Sequence, residues 1–353
     1  MTSLAIESKP AVLDRLAHVS DVHGAPALRD RLASLGRFVA ADLGAFEQEI
    51  AAIPRGTRVI HQAAHHLLDL RGKHLRPLCV ALASRFGEGF TPRARGLAVA
   101  VELVHSATLL HDDVVDLAER RRGEPTACVV YGNAASIFAG DWLLVTALRR
   151  IATVGVDGLL DRMLGVIDEM IVAESVQLER RRKVTGARED YFHIIEGKTA
   201  ALFRWAMIAG ARVAGLGAEA EVSLERFGLH LGVAFQAVDD ELDFADHVGP
   251  GGTGKDALAD LREGKVTFPM VVALERDPAL RGRLEAMLAD EIVRPDALAA
   301  VAAAIRATGA LVATRQLAED HVRRAVATLD ALPAGPARDA LETVALASLE
   351  RQS

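Results

Sequence analysis

His105-Ser106-Ala107-Thr108-Leu109-Leu110-His111-Asp112-Asp113-Val114-Val115-Asp116 is the stretch from which the rest of the chain reads. Pro92 fits the first turn of a helix, and the apolar spacing carries that helix through this stretch to about Ala118. On a helix, Asp112 and Asp116 stack their carboxylates on one face. A second copy, Asp239-Asp240-Glu241-Leu242-Asp243, repeats the arrangement more than a hundred residues later. Alone, such a pattern reads as a solvated acidic turn. Here Leu109-Leu110 precede one copy, and Phe235, Val238 and Leu242 surround the other, so burial is expected. Clustered carboxylates repel one another and resist burial unless cations neutralise them. Hard oxygen ligands suit Mg²⁺, which keeps waters and takes part of its shell from substrate phosphates. A cleft between two such helices would hold a diphosphate through metal ions.

The composition agrees with a helical protein. Half of the 353 residues are hydrophobic, aromatics make up only 4%, and Ala and Leu dominate, which favours helix over sheet. A formal charge of −7 offers no general attraction to nucleic acid or an anionic membrane. The two cysteines, Cys79 and Cys128, sit in apolar runs and read as core thiols. Residues 1–25 lack the apolar segment of a signal peptide and read as a leader or a short peripheral helix. No apolar stretch approaches the roughly 20 residues that span a bilayer.

From residue 26 to 350 the pattern is a single helical domain. Helices are expected at 28–53, 59–70, from near Pro77 to before Gly87, at 92–118, 134–153, 158–182, 188–214, 220–245 and 258–275. Three or four shorter ones follow, divided by Pro278, Pro295 and Pro333/Pro336. No β-hairpin run is evident. One large bundle with long antiparallel central helices is the simplest solution. The interruption at His247-Val248-Gly249-Pro250-Gly251-Gly252 reads as an active-site loop beside the second aspartate cluster.

Positive charge flanks the acidic motifs. Arg120-Arg121-Arg122-Gly123 follows the first, and Gly72-Lys73-His74-Leu75-Arg76-Pro77 supplies another compact basic group. Arginine matches phosphate oxygens with fixed, often bidentate donors. Two basic clusters suit two anionic substrates. Lys198-Thr199 and Lys255 are further phosphate-donor candidates, each weighed against an ordinary surface role.

Over about residues 58–270 the chain resembles the all-helical trans-polyprenyl diphosphate synthases. The likeness rests on Gly72-Lys73…Arg76-Pro77, His105…His111-Asp112-Asp113-Val114-Val115-Asp116, Arg121-Arg122-Gly123, Gly140-Asp141, Glu174…Gln177 and Gly197-Lys198-Thr199. It continues in Phe235-Gln236…Asp239-Asp240…Asp243, Gly254-Lys255 and Asp260-Leu261-Arg262-Glu263-Gly264-Lys265. The resemblance implies an all-α isoprenoid-synthase bundle around a central cavity, cytoplasmic and homodimeric, touching membrane at most transiently. It implies that Asp112, Asp116 and Asp239 bind Mg²⁺, supported by Asp113, Asp240 and Asp243. Arg121, Lys198, Thr199, Gln236 and Lys255 would hold an allylic diphosphate, with Lys265 nearby. Lys73, Arg76, His105 and Arg122 would bind isopentenyl diphosphate. The chain departs from common family residues at Arg71, Leu117, Glu124, Asp256 and Leu258, the last standing where glycine is frequent.

The implied reaction is head-to-tail condensation, giving a trans product one C5 unit longer. Ala107 and Thr108, one turn before Asp112, should line the way into a hydrocarbon pocket. Each isoprene unit needs roughly 4–5 Å of depth, close to one helical turn. Small residues at this gate permit growth beyond C15, with Val104, Val101 and the helix around Ile137-Phe138 as a deeper floor. The expected product is C30–C50. A geranylgeranyl or farnesyl diphosphate synthase is the nearest alternative, and a non-catalytic partner subunit is the alternative of another class.

Overall fold

The computed structural model describes residues 26–70, 72–184, 186–244, 258–290 and 292–350. The expected leader at 1–25 and the loop bearing Lys255 lie outside these residues. The fold is all-α, with long helices where the 3.6-residue spacing places them. The described residues fall into two compact units, 26–160, 206–224 and 331–350 in one and those within 161–205 and 225–330 in the other.

The first unit opens with α1 (Pro26–Ala51), α2 (Val59–Leu68), α3 (Leu75–Ser84) and α4 (Pro92–Val115). A short ladder, β1 (Arg120–Arg121) with β2 (Glu124–Pro125), leads to α5 (Ala127–Tyr131) and α6 (Asn133–Val154). Pro92 does lie in the first turn of α4, where its missing N–H costs nothing, and Thr91 caps the helix by accepting from the Ala94 amide at 3.3 Å. α4 is buried almost all round through its middle, from Gly96 to Val104, as befits a central helix. It packs chiefly on α6, with α3 beside it.

α4 stops at Val115, three residues short of the expected end. Asp116 is its C-cap, and the Ala118 amide turns back to the Asp113 carbonyl at 2.9 Å. This closure needs Leu117 in the left-handed region, at φ 53°, a conformation usually given to glycine. Leu117 is 79% exposed, so no packing offsets that strain. The ladder that follows corrects the expectation of no hairpin. Its turn residues, Arg122 and Gly123, have φ of 53° and 85°, the positive values a tight two-residue hairpin demands. Two residues per strand are too few to show alternation in sequence.

The second unit holds most of α7 (Leu159–Arg180), then α8 (Arg188–Ile195) and a π-helical turn over Glu196–Ala200 that runs into α9 (Ala201–Val213). α10 (Ala218–Asp243) carries the second aspartate motif. The helix expected over 258–275 divides into α11 (Ala259–Glu263) and α12 (Phe268–Arg276). Gly264 ends α11 at φ 72°, where a Cβ would lie 2.8 Å from the Arg182 backbone. The tail comprises α13 (Leu280–Ala289), α14 (Pro295–Ala307), α15 (Ala310–Thr328) and, within the first unit, α16 (Pro336–Ala347). Tyr191, Phe244, Phe268 and Leu284 belong to one apolar cluster of the second unit. Among the described residues no single helix is long and apolar enough to cross a bilayer.

Candidate active site

Both aspartate motifs occupy the last turn of their helices: Asp112 and Asp113 with the cap Asp116 on α4, and Asp239, Asp240 and Asp243 on α10. That is the electrostatically wrong end. The helix dipole disfavours an anion there by about 0.3–1 kcal/mol each, in addition to their mutual repulsion.

Within each motif the carboxylates divide by role. On α4, His105, Thr108, Leu109, Asp112 and Asp116 retain accessible surface and form one stripe, whereas Asp113 is buried. Arg121 grips Asp113 Oδ1 with Nε at 2.8 Å and Nη2 at 2.7 Å, which fastens the hairpin to the helix end. Burial raises the Asp113 carboxyl above its ordinary range, and Arg121 opposes that shift. On α10, Asp240 is the buried member. It accepts from Gln236 Nε2 at 2.9 Å and from the Phe268 amide at 3.1 Å, and the buried Tyr191 hydroxyl faces it. Burial pushes Asp240 up to about 7, with those donors pulling the other way. Asp243 Oδ1 accepts from the Ala259 amide at 3.0 Å and so anchors the start of α11. Asp239 keeps accessible surface.

Arg122, in the turn of the β1–β2 hairpin, reaches back to the basic turn at 72–77. Arg122 Nη1 donates to the Leu70 carbonyl at 2.8 Å, and the guanidinium passes over Gly72, where a Cβ would come within 3.2 Å of it. His105 lies in the positive field of Arg76, Arg122 and Arg121. Burial first, then Arg76, hold its imidazole well below the ordinary range. The result is a neutral ring beside several fixed cations. That combination places positive charge and a directional imidazole side by side.

In the second unit, the π turn places Lys198 and Thr199. Gly197 makes this possible, because a Cβ there would meet Ala173 Cβ at 2.7 Å and the Glu169 carbonyl at 2.9 Å on α7. Lys198 pairs with Glu174, which also accepts from Gln177 Nε2 at 3.1 Å. Thr199 Oγ1 donates to Gln236 Oε1 at 2.8 Å. Its proton is thereby committed, and the oxygen can present only lone pairs elsewhere. Lys265 pairs with Glu263 at 2.8 Å. Lys255 lies outside the described residues.

Of the two gate positions, Ala107 is packed at 1% exposure and Thr108 carries the accessible surface. Val101 and Val104 are likewise fully enclosed. Phe138 is 60% exposed on α6.

The model of the family described as polyprenyl synthetase matches residues 57–305. The chain belongs to that family. This prenyltransferase is similar to heptaprenyl diphosphate synthase component 2 of Geobacillus stearothermophilus, at 34% identity over 321 residues, covering 90% of this chain and 98% of that protein. It is similar to the octaprenyl diphosphate synthase of Escherichia coli (strain K12), at 34% identity over 300 residues, covering 83% and 90% of the two chains. A crystal structure of polyprenyl synthase from Caulobacter crescentus CB15, complexed with calcium and isoprenyl diphosphate, matches with a TM-score of 0.80 at 32% identity. That match covers 98% of this chain and 100% of the other. The fold is therefore the all-α isoprenoid synthase fold.

Two residues beside the prenyltransferase's motifs escaped the sequence reading. Tyr191 lies beside Asp240, and nothing in its surroundings on the chain marks it. Glu102 is buried at 4% exposure, and His74 Nδ1 lies 3.0 Å from its Oε1. A signal for Glu102 was present, since a lone charge within Val99-Ala100-Val101-Glu102-Leu103-Val104 demands a buried partner. Burial alone would raise its carboxyl, but the hydrogen bond with His74 and the fields of His74 and Arg76 outweigh it and hold the value near 2. The ordinary value is 4.5, so the group stabilises the fold above that pH and ceases to do so as pH falls toward 2. The stability lost across this window is roughly 3 kcal/mol. Urea midpoints of the wild type and of Glu102→Gln should therefore converge on acidification from pH 6 to 3. A constant gap would contradict the assignment.

Proposed function

We propose that this chain is a polyprenyl diphosphate synthase that condenses isopentenyl diphosphate with an allylic diphosphate to give all-trans products of C30–C50. The observation that carries the length assignment is the accessible stripe on α4, in which Thr108 and Leu109, with no ring, lie about one turn before Asp112. An aromatic side chain there would floor the pocket early, because packed interiors resist overfilling. The heptaprenyl and octaprenyl products in the names of its relatives support the same range.

Asp112 and Asp116, with Asp239, are the proposed Mg²⁺ ligands. Their oxygen-only chemistry and their place at helix C-termini fit a hard cation. Among the described residues no three acidic or histidine side chains close around a metal site by themselves, in keeping with an ion that takes much of its shell from diphosphate and water. Calcium in the Caulobacter complex supports a divalent ion. When bound, Mg²⁺ supplies charge neutralisation for the departing diphosphate.

The side chains do the rest. Arg121, Lys198 and Lys255 hold the allylic diphosphate, with Lys265 nearby, while Asp113, Asp240 and Asp243 fix the scaffold around it. As the allylic C–O bond breaks, its electron pair leaves with the diphosphate. The lone pairs of Thr199 and the Gln236 amide dipole face the cation that remains. Lys73, Arg76, His105 and Arg122 hold isopentenyl diphosphate, whose double bond forms the new C–C bond. The released pyrophosphate takes the proton, so no protein base is required.

A homodimer in the cytoplasm, touching membrane only to release product, completes the reading. Phe138 and Val145 are both exposed and seven residues apart on α6, which supports an apolar contact face. Purified protein incubated with Mg²⁺, isopentenyl diphosphate and C5, C10, C15 or C20 primers should yield C30–C50 masses. Accumulation at C20 alone would reject the length. Inactivity with every primer would reject independent catalysis, and a monomer by light scattering would reject the dimer.

A further inference from the structure

A pocket built to hold an anion contains a buried anion of its own. Glu102 lies three residues before His105 on α4, within the field of Arg76. Its direct contact is His74, the middle of the basic turn at 72–77. That histidine is unusual in its backbone. It stands at the N-cap of α3 with φ 41° and ψ 35°, yet its side chain makes no capping bond. A non-glycine residue in this region costs about 1–2 kcal/mol and persists only where its surroundings hold it.

Three surroundings hold it here. Glu102 Oε1 is 3.0 Å from Nδ1, the Phe46 ring packs edge-on at a centroid distance of 5.1 Å, and Gly72 lies against Cε1, where a Cβ would come within 3.1 Å. The imidazole is thus turned inward, away from the capping position. Lys73 and Arg76 occupy the same turn, on either side of it.

We propose that Glu102 is a positioning residue for the substrate that binds without metal: through His74 it fixes the strained turn that presents Lys73 and Arg76, and its charge offsets the repulsion among the pocket's cations before the diphosphate arrives. This rests on assigning isopentenyl diphosphate to that pocket. Preorganisation of this kind appears in the affinity for one substrate, because the turn need not be ordered again at each binding event.

The test is steady-state kinetics with each substrate varied in turn, at a temperature and pH where every variant is folded by circular dichroism. Glu102→Gln keeps the shape and an acceptor while removing the charge. It should raise KM for isopentenyl diphosphate about tenfold while KM for the allylic primer and kcat stay within about twofold. His74→Gln should do the same, and the double variant should be no worse than the poorer single one, because the two act as a unit. If Glu102→Gln does not fold, His74→Gln carries the same expectation. Lys73→Ala is the control for the pocket itself. A raised KM for isopentenyl diphosphate in Lys73→Ala, with none in Glu102→Gln or His74→Gln, would overturn this inference alone. No change in Lys73→Ala would overturn the pocket assignment and this inference with it. Equal rises for both substrates would make Glu102 merely structural, which also overturns it.

Discussion

Asp112→Ala and Asp239→Ala should each slow single turnover by about 10³-fold with every primer, the loss expected when a principal electrostatic contact to a leaving group is removed. Stability should change far less. Both residues are partly exposed at a helix C-terminus, where removing a charge relieves the dipole by about 0.3–1 kcal/mol. A catalytic loss much larger than the change in stability marks a functional carboxylate. The neighbours supply the contrast. Asp113 and Asp240 are buried and bonded to Arg121 and to Gln236, so their loss should lower stability as well. Rapid-quench rates and melting curves distinguish the two classes. Turnover within tenfold of the parent in either exposed-aspartate variant would refute its assigned role.

Thr108→Phe should shift the product from C30–C50 to about C15–C20, because a ring on the accessible stripe of α4 closes the hydrocarbon path within about one helical turn of Asp112. Ala107→Phe should behave differently. Its Cβ is enclosed, so the ring overpacks the contact of α4 with its neighbours and costs about 1–3 kcal/mol. Product mass spectra read the first effect and denaturant midpoints the second. Unchanged chain lengths in Thr108→Phe would remove this position from the product path. Truncation by Ala107→Phe at full stability would show that the gate faces the other way.

The difference between these adjacent residues shows where the sequence stopped being legible. One step along a helix turns a side chain by about 100°, and a helix buried nearly all round has no polar face by which to orient it. The pattern located the gate to a pair, and only packing separated Thr108 from Ala107. The long helices were legible because apolar spacing and proline punctuation agree, as at Pro92, Pro295 and Pro336. The basic clusters were legible by their density of charge. The Arg120–Arg121 hairpin was not, being too short to alternate, whereas the split after α11 was signalled by Gly264 and by Pro269 in the first turn of α12 and was passed over. The glycine missing from position 258 has a backbone consequence: Leu258 adopts φ 61°, so the departure seen in sequence is a local strain in the fold.

The π turn at Glu196–Ala200 has a further consequence. One additional residue in a helix puts the segments before and after it out of phase by about 100°. Lys198 and Thr199 are therefore aimed independently of Phe203 and Trp205, which are locked in the core a single turn later. Deleting Ala200 from this turn would restore an ordinary rod and remove no polar side chain. It would nonetheless swing the lysine and threonine off their bearing, so here an enzyme can be disarmed by a rotation alone.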